Sequence, residues 1–289
     1  MVTDKKTVNL RVWVALCLAT AGVSADFQIS KSPNSQIDRI VSLVPSITEI
    51  LFVLGLGPAV VGCTIYCTEP PAGVMATTRV GGTKNPRLDL IRALRPDLVL
   101  ANIEENHREH IETLRGWGIA AHVSYPRTVA EGIRLVSELG QVTGATARGA
   151  ALAEDLERRL AEVTARARAR ARPTRVFYPI WRHPYMTISR DTYVHDVLAV
   201  CGGDNVFSDR DRRYPEVSLD EVAAARPEVI LLPDEPYRFR EAHVVDFTPY
   251  QEMPAVRDRR THLVDGRLCS WFGPRMAEAF TILPALLHP

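Results

Sequence analysis

The stretch from Thr146 to Arg172 constrains this chain more than any other, because it reads as one long helix. Leu152, Leu156, Leu160 and Val163 recur at helical spacing, while Glu154, Asp155, Glu157, Arg158 and Arg159 fill the opposite face. No glycine or proline interrupts the run between Gly149 and Pro173. Acids lie toward its first half and Arg166, Arg168, Arg170 and Arg172 crowd its end, which suits the helix dipole. At 1.5 Å per residue the element spans roughly 40 Å, longer than a typical globular helix. Periodicity alone leaves two readings open, a strut between two lobes or a long surface helix of one domain.

On either side strands alternate with helices. Arg39–Leu43 reads as a short apolar strand that breaks at Pro45-Ser46, where Ser46 and Glu49 form an S-x-x-E capping box ahead of Ile50, Leu51, Val53 and Leu54. A strand over 59–64 follows, then a Pro- and Gly-rich loop from Tyr66 to Pro86. The segment LDLIRALRPDLVLA reads as helix, turn and buried strand, and helix 106–116, strand 119–125 and helix 128–140 come next. Strands separated by helices imply parallel pairing in an open α/β sheet. Beyond Pro173 the pattern restarts with strand Arg175–Trp181, helix 191–200, the Gly202-Gly203 turn, LDEVAAARPEVILLP, strand THLVDG and a helix from Pro274. Leu88-Asp89, Ala93, Arg95-Pro96, Asp97 and Leu100 recur as Leu219-Asp220, Ala224, Arg226-Pro227, Glu228 and Leu231. The repeat predicts two similar lobes, 26–145 and 173–289, joined by the helix 146–172. Residues 234–259 read as loop.

A formal net charge of +1 supplies no long-range basic field, which argues against a nucleic-acid partner. Residues 1–25 set Lys5, Lys6 and Arg11 before the apolar run VWVALCLATAG and the small-residue site Val23-Ser24-Ala25, the pattern of a secretory signal peptide. A leader retained on a cytosolic protein is the other reading. Past the leader, which carries Cys17, stand Cys63, Cys67, Cys201 and Cys269. Export permits disulfides, but spacing leaves their pairing open. Cys63-x-x-x-Cys67 has no second Cys or His pair at ligand spacing, so it reads as small buried residues or one disulfide. Nucleotide-binding glycine motifs and a Cys-x-x-Cys series do not occur, which weighs against a metal-cluster enzyme on a two-lobed frame. A cytosolic corrinoid or metal-complex sensor is the further alternative.

RIVSLVPSITEILFVLG, the Pro70-Pro71 loop, LDLIRALRPDLVLA, DVLAVCGGDNVF and VSLDEVAAARPEVILL, in this order, resemble the helical-backbone substrate-binding proteins of ABC importers for iron complexes, haem and cobalamin. Among these the cobalamin-binding members are most similar. The resemblance implies two similar α/β lobes with mostly parallel sheets joined by one long backbone helix, and a cobalt or iron chelate held between them. It also implies no intrinsic cofactor, a monomer in the periplasm, and a permease dimer with its ATPase as partner. Tyr66 matches the family's cleft tyrosine before the Pro-Pro loop, and Tyr214 an aromatic before the Pro-x-Val-Ser turn. Cleft tryptophans of the family fall on Thr83 and Asn102. The glutamates that relatives pair with permease arginines fall on Asp89 and Asp220, with Glu221 adjacent.

A corrin or porphyrin has an apolar face and a polar rim, so its site needs aromatic walls and a few rim donors. Tyr66, Trp181, Tyr185, Tyr214, Trp271 and Phe272 are the candidate walls, in loops at strand ends where open α/β sheets place ligands. Arg182 and Arg275 offer planar forks to carboxylate, phosphate or amide oxygens, and His183 or Tyr66 is the candidate axial metal ligand. No catalytic residue is expected.

Overall fold

The computed structural model describes residues 37–288, so the leader over 1–25 lies outside the described residues. The first half runs β1 (Ile40–Ser42), α1 (Pro45–Val53), β2 (Val60–Cys63), α2 (Pro71–Met75), β3 (Thr78–Arg79), α3 (Leu88–Ala93), β4 (Leu98–Asn102), α4 (Arg108–Gly116), β5 (Ala120–Ser124) and α5 (Val129–Val142). Then come α6 (Thr146–Arg168), β6 (Thr174–Phe177), α7 (Tyr193–Val200), β7 (Gly203–Asn205), α8 (Leu219–Ala225), β8 (Val229–Pro233), α9 (Pro254–Arg257), β9 (Thr261–Val264), α10 (Arg267–Ser270) and α11 (Arg275–Leu287). One sheet is ordered β3-β2-β1-β4-β5 and the other β7-β6-β8-β9, and every pairing is parallel. β1 and β4 are buried along their whole length, as helices on both faces of a parallel sheet require. The stretch expected as loop, 234–259, instead contains a 3-10 turn at Glu241–Phe247 and α9.

The repeated unit is a repeat of hydrogen bonds as well as of letters. Asp97 N–H donates to the Arg39 carbonyl at 2.8 Å, and Glu228 N–H donates to the Arg175 carbonyl at 2.8 Å. In return the Arg39 and Arg175 N–H groups donate to the side chains of Asp97 and Glu228, each at 3.0 Å. Arg39 and Arg175 also cap the carbonyls of Leu94 and Ala225 at the ends of α3 and α8. Arg95 and Arg226 both take left-handed backbone, at φ 46° and 48°, the conformation that commonly closes a helix C-terminus.

The long helix is packed along its length. Gly149, Ala153, Leu156 and Val163 are buried, and its exposed face is laced by pairs of Arg158 and Arg159 with Asp155. Gly149 meets Gly140 of α5 so closely that a Cβ on either would come within 2.9 Å of the other's Cα. A single hydrophobic cluster includes Ile40 and Leu100 of the first sheet, Leu156 and Val163 of α6, and Val176, Leu231 and Leu283 of the second half. The helix ends at Arg168, earlier than the expected Arg172. Pro173 disfavours a helical conformation in the residue before it, and Arg172 lies past the helix, where it meets both Glu228 oxygens at 2.6 and 2.7 Å.

The expected capping box at Ser46 and Glu49 does not form. Helix α1 starts at Pro45 behind Val44 with no side-chain cap. Glu49 is drawn instead to Arg275, at 3.0 Å. The capping boxes that do form are Thr128 with Glu131 and Ser218 with Glu221.

Candidate functional site

The carboxyl ends of the two sheets face one another, and charged side chains bridge the gap on two sides. At one side, Arg267 just after β9 reaches Glu69 in the loop after β2 at 2.7 Å. Arg275 lies 3.0 Å from Glu49 and 3.5 Å from Glu69. At the other side, Arg213 stands 2.6 Å from Glu104, and the Tyr214 hydroxyl donates to the same carboxylate oxygen at 3.0 Å. The Arg213 guanidinium also lies over the Tyr125 ring, 5.4 Å from its centroid. Arg127 and Asp191 add a more exposed pair at 3.2 Å.

Between these bridges lie carboxyl groups that burial drives toward the neutral form. Burial pushes Glu105 up to about 7, only partly opposed by Lys84, with Glu235 and Glu104 adding to the rise. Glu235 is raised by burial against the opposing hydrogen bonds from Ser270 and the Trp271 indole N–H, both 2.9 Å. Glu49 is likewise raised by burial, against Arg275. Carboxyl oxygens beside the cations of the bridges make a polar belt that suits amide or carboxyl groups on a ligand rim. Lys84, whose ammonium donates to the Glu104 carbonyl at 2.5 Å, adds a cation.

The expected site residues divide into three groups. Tyr66 is 54% exposed, above Gly82 in the turn after β2. Trp181 is half-buried and meets Tyr237 edge to face at 5.4 Å, and Tyr214 belongs to the bridge with Glu104. Arg182 is held by both oxygens of Asp246, at 2.6 and 2.9 Å, and Arg275 by Glu49, Glu69 and Glu278. Their forks are therefore engaged within the protein.

The third group is packed away, against expectation. Tyr185 is 7% exposed, stacked on Phe239, with its hydroxyl donating to Asp246 at 2.6 Å. Trp271 turns its indole N–H inward to Glu235 and is buried. Phe272 joins the core against Tyr193 at 4.9 Å. These rings face inward because a loop at a strand end must cover the core as well as edge the cleft. His183 is exposed with left-handed backbone at φ 65°, a conformation strained for a residue with a Cβ.

Asp89 and Asp220 occupy exposed first-turn positions of α3 and α8, and Asp220 accepts from Tyr250 at 2.8 Å. Glu221, the third docking candidate, is engaged by the Ser218 cap and by Arg210 at 2.6 Å.

The acids Glu69, Glu104, Glu105 and Glu235 and the cations Lys84, Arg213 and Arg267 were not legible as site residues. Glu104, Glu105, Glu235 and Arg267 carry one sequence signal, a position just after an apolar strand, and Glu69, Lys84 and Arg213 lie farther along the loops. Among the described residues no group of three or more His, Cys, Asp or Glu side chains is arranged to hold a metal ion. Cavities of about 460 and 320 Å³ lie away from the cleft, one beside Gly55 and Gln141 and one between α6 and α11.

The sequence profile described as "periplasmic binding protein" matches residues 40–268. A vitamin B12-binding protein of Vibrio cholerae serotype O1 is 30% identical over 193 residues, which cover 67% of this chain and 69% of that one. One from Yersinia pestis is 28% identical over 200 residues, 69% and 71% of the two chains. Among solved structures, the periplasmic vitamin B12 binding protein of Vibrio cholerae superposes with a TM-score of 0.77 at 26% identity, covering 87% of this chain and 96% of that one. A periplasmic haem-binding protein from Roseiflexus sp. RS-1 in apo form gives 0.77 at 26% identity, covering 87% and 98%.

Proposed function

The chain belongs to the periplasmic binding protein family, and from that premise we propose that it captures a cobalt or iron chelate between its lobes. The cargo class is a cobalamin-like corrinoid, a haem or a ferric siderophore, and the protein hands it to the permease dimer of an ABC importer. The observation that carries the reading is the arrangement of two aromatic surfaces on opposite lobes about a polar belt. Tyr66 is exposed on the first lobe, Trp181 and Tyr237 lie on the second, and the raised carboxyls of Glu105 and Glu235 stand between the lobes. A macrocycle sandwiched there would meet rings on its faces and hydrogen-bonding groups on its edge.

Such cargo brings its metal already chelated, so the protein needs to grip the macrocycle and not the bare ion. Thr83 and Asn102 occupy the positions of two family tryptophans. Asn102 is buried and donates to Ser124 at 3.3 Å, so the aromatic wall is thinner than in the cobalamin members. This favours a porphyrin-sized ligand over full cobalamin. In this reading the protein is exported by its leader and works as a monomer without catalytic turnover. Asp89 and Asp220 contact the permease, and the associated ATPase drives transport.

Absorbance titration and calorimetry with haem, cyanocobalamin, cobinamide and a ferric siderophore test the reading. A saturable spectral change at micromolar concentration with one of them is the expected result. No binding to any of the four overturns it.

A further inference from the structure

Cys63 and Cys67 stand in surroundings unlike those of the other thiols. Cys63 ends β2, and a turn closed by the Cys67 N–H on the Thr64 carbonyl at 3.2 Å folds the chain back so that the two thiols are buried together in one small cluster with Val74. Arg79 of β3 clamps this turn from one nitrogen, donating to the Thr64 carbonyl at 2.8 Å, the Cys67 carbonyl at 2.7 Å and the Cys63 sulfur at 3.2 Å. The hydroxyls of Thr48 and Thr64 lie 3.1 and 3.2 Å from the Cys67 sulfur. By contrast, the Cys201 sulfur lies 3.9 Å from the Ala279 carbonyl.

The segment enclosed by the pair, Thr64-Ile65-Tyr66, carries two of the exposed large apolar side chains, Ile65 at 55% and Tyr66 at 54%. Two residues beyond Cys67, Glu69 makes the bridge to Arg267 and Arg275 of the other lobe. Whatever fixes the turn therefore fixes both an exposed ring and an interlobe contact.

We propose that Cys63 and Cys67 are a dithiol–disulfide couple whose oxidation locks the turn that presents Tyr66. The oxidant is a disulfide, either a small molecule or an oxidised thiol-exchange protein of the exported compartment. The Cys67 thiolate attacks one sulfur of the oxidant, whose own S–S bond breaks, and the first thiolate leaves. Cys63 loses its proton to that leaving thiolate and attacks the Cys67 sulfur of the mixed disulfide. The second thiolate leaves and takes up the proton Cys67 released. Two protein thiols are oxidised and one external disulfide is reduced to two thiols. The neighbouring Cys63 thiol, with the Thr48 and Thr64 hydroxyls beside it, holds the Cys67 thiol below its ordinary range, which favours it as the first nucleophile.

The two cysteines fall in one tryptic peptide, residues 40–79, which contains no other cysteine. The folded full-length protein is equilibrated with oxidised or reduced glutathione, quenched in acid, alkylated under denaturing conditions and digested. After oxidised glutathione the peptide should resist alkylation and weigh two hydrogens less than its free dithiol form. After reduced glutathione it should carry two alkyl groups. Amide exchange over residues 64–69 should slow in the oxidised form. Two alkyl groups under both conditions overturn the proposal, as does glutathione left attached to both sulfurs. Unchanged exchange over 64–69 with the disulfide formed overturns the locking of the turn. Neither readout requires a ligand, so the result is independent of the cargo proposed above.

Discussion

Glu104 of the first lobe and Arg213 of the second stand 2.6 Å apart across the mouth of the cleft. The contact is a close ion pair and not an aligned hydrogen bond, since the Arg213 nitrogen involved has no acceptor in its N–H direction. The same carboxylate accepts from Tyr214, while Arg213 also holds Asp191 at 3.0 Å and covers Tyr125. Arg213→Ala removes the contacts with Glu104, Asp191 and Tyr125 at once and leaves Glu104 with only the Tyr214 hydroxyl at the gap. The expected cost is roughly 1–3 kcal/mol in thermal or urea unfolding, with a broader solution scattering profile as the lobes part more often. Glu104→Gln keeps an acceptor for Tyr214 and should cost less. A profile unchanged in Arg213→Ala would show that the packed helices alone set the lobe separation.

Glu105 gives the cleft a pH dependence whose sign follows from burial. Its folded value, about 7, lies above the ordinary carboxyl value of 4.5, so the folded protein holds a proton that the unfolded chain releases between those limits. That contribution to stability is fully present below about pH 4.5 and is lost as pH rises toward 7, by at most about 3 kcal/mol. Glu105→Gln should flatten this part of the stability profile between pH 4.5 and 7.5, measured by urea unfolding. A slope identical to that of the unmodified protein would mean that Glu105 is ionised throughout.

The lobes and their repeat were legible because their signals are local. Period-two and period-3.6 apolar patterns, together with the LD and RP pairs, located the parallel strands and the helices that precede them. The cleft was less legible for the same reason. Glu49 satisfied an S-x-x-E pattern with Ser46, yet Arg275, 226 positions away, claims its carboxylate. Trp271 and Phe272 had the composition of a ligand wall, but only the fold decides whether a ring at a strand end turns outward or into the core. Glu104, Glu105 and Glu235 read as ordinary loop acids until the two sheets bring them together. Arg39 and Arg175 show the same limit in the repeat itself. Each lies 53 to 58 residues from the acid it meets, beyond the repeated letters.

Gly149 tests whether the long helix works by packing. A side chain there would press on the backbone of Gly140, where neither partner has a flexible atom to move. Gly149→Val should destabilise the protein by about 2–4 kcal/mol, although valine on an exposed helix costs little beyond propensity. Gly116, where an added Cβ would find nothing within 4 Å, is the control, and Gly116→Ala should be neutral or slightly stabilising. Equal effects at the two sites would remove the close crossing of α5 and α6 as a determinant of the fold.

The proposed docking acids, Asp89 and Asp220, offer a test that separates ligand capture from delivery. They occupy equivalent first-turn positions of α3 and α8, exposed and outside the bridges that line the cleft. A symmetric permease dimer would meet one acid on each lobe. The double substitution Asp89→Arg with Asp220→Arg should leave ligand affinity within about twofold and cut uptake by an assembled importer at least tenfold, through charge repulsion at a surface that needs complementarity. Glu221→Gln is the counterpart. Its carboxylate already satisfies the Ser218 cap and Arg210, so that change should register in stability and leave uptake intact. Unchanged uptake in the double variant, with ligand still bound, would assign the docking surface to other residues.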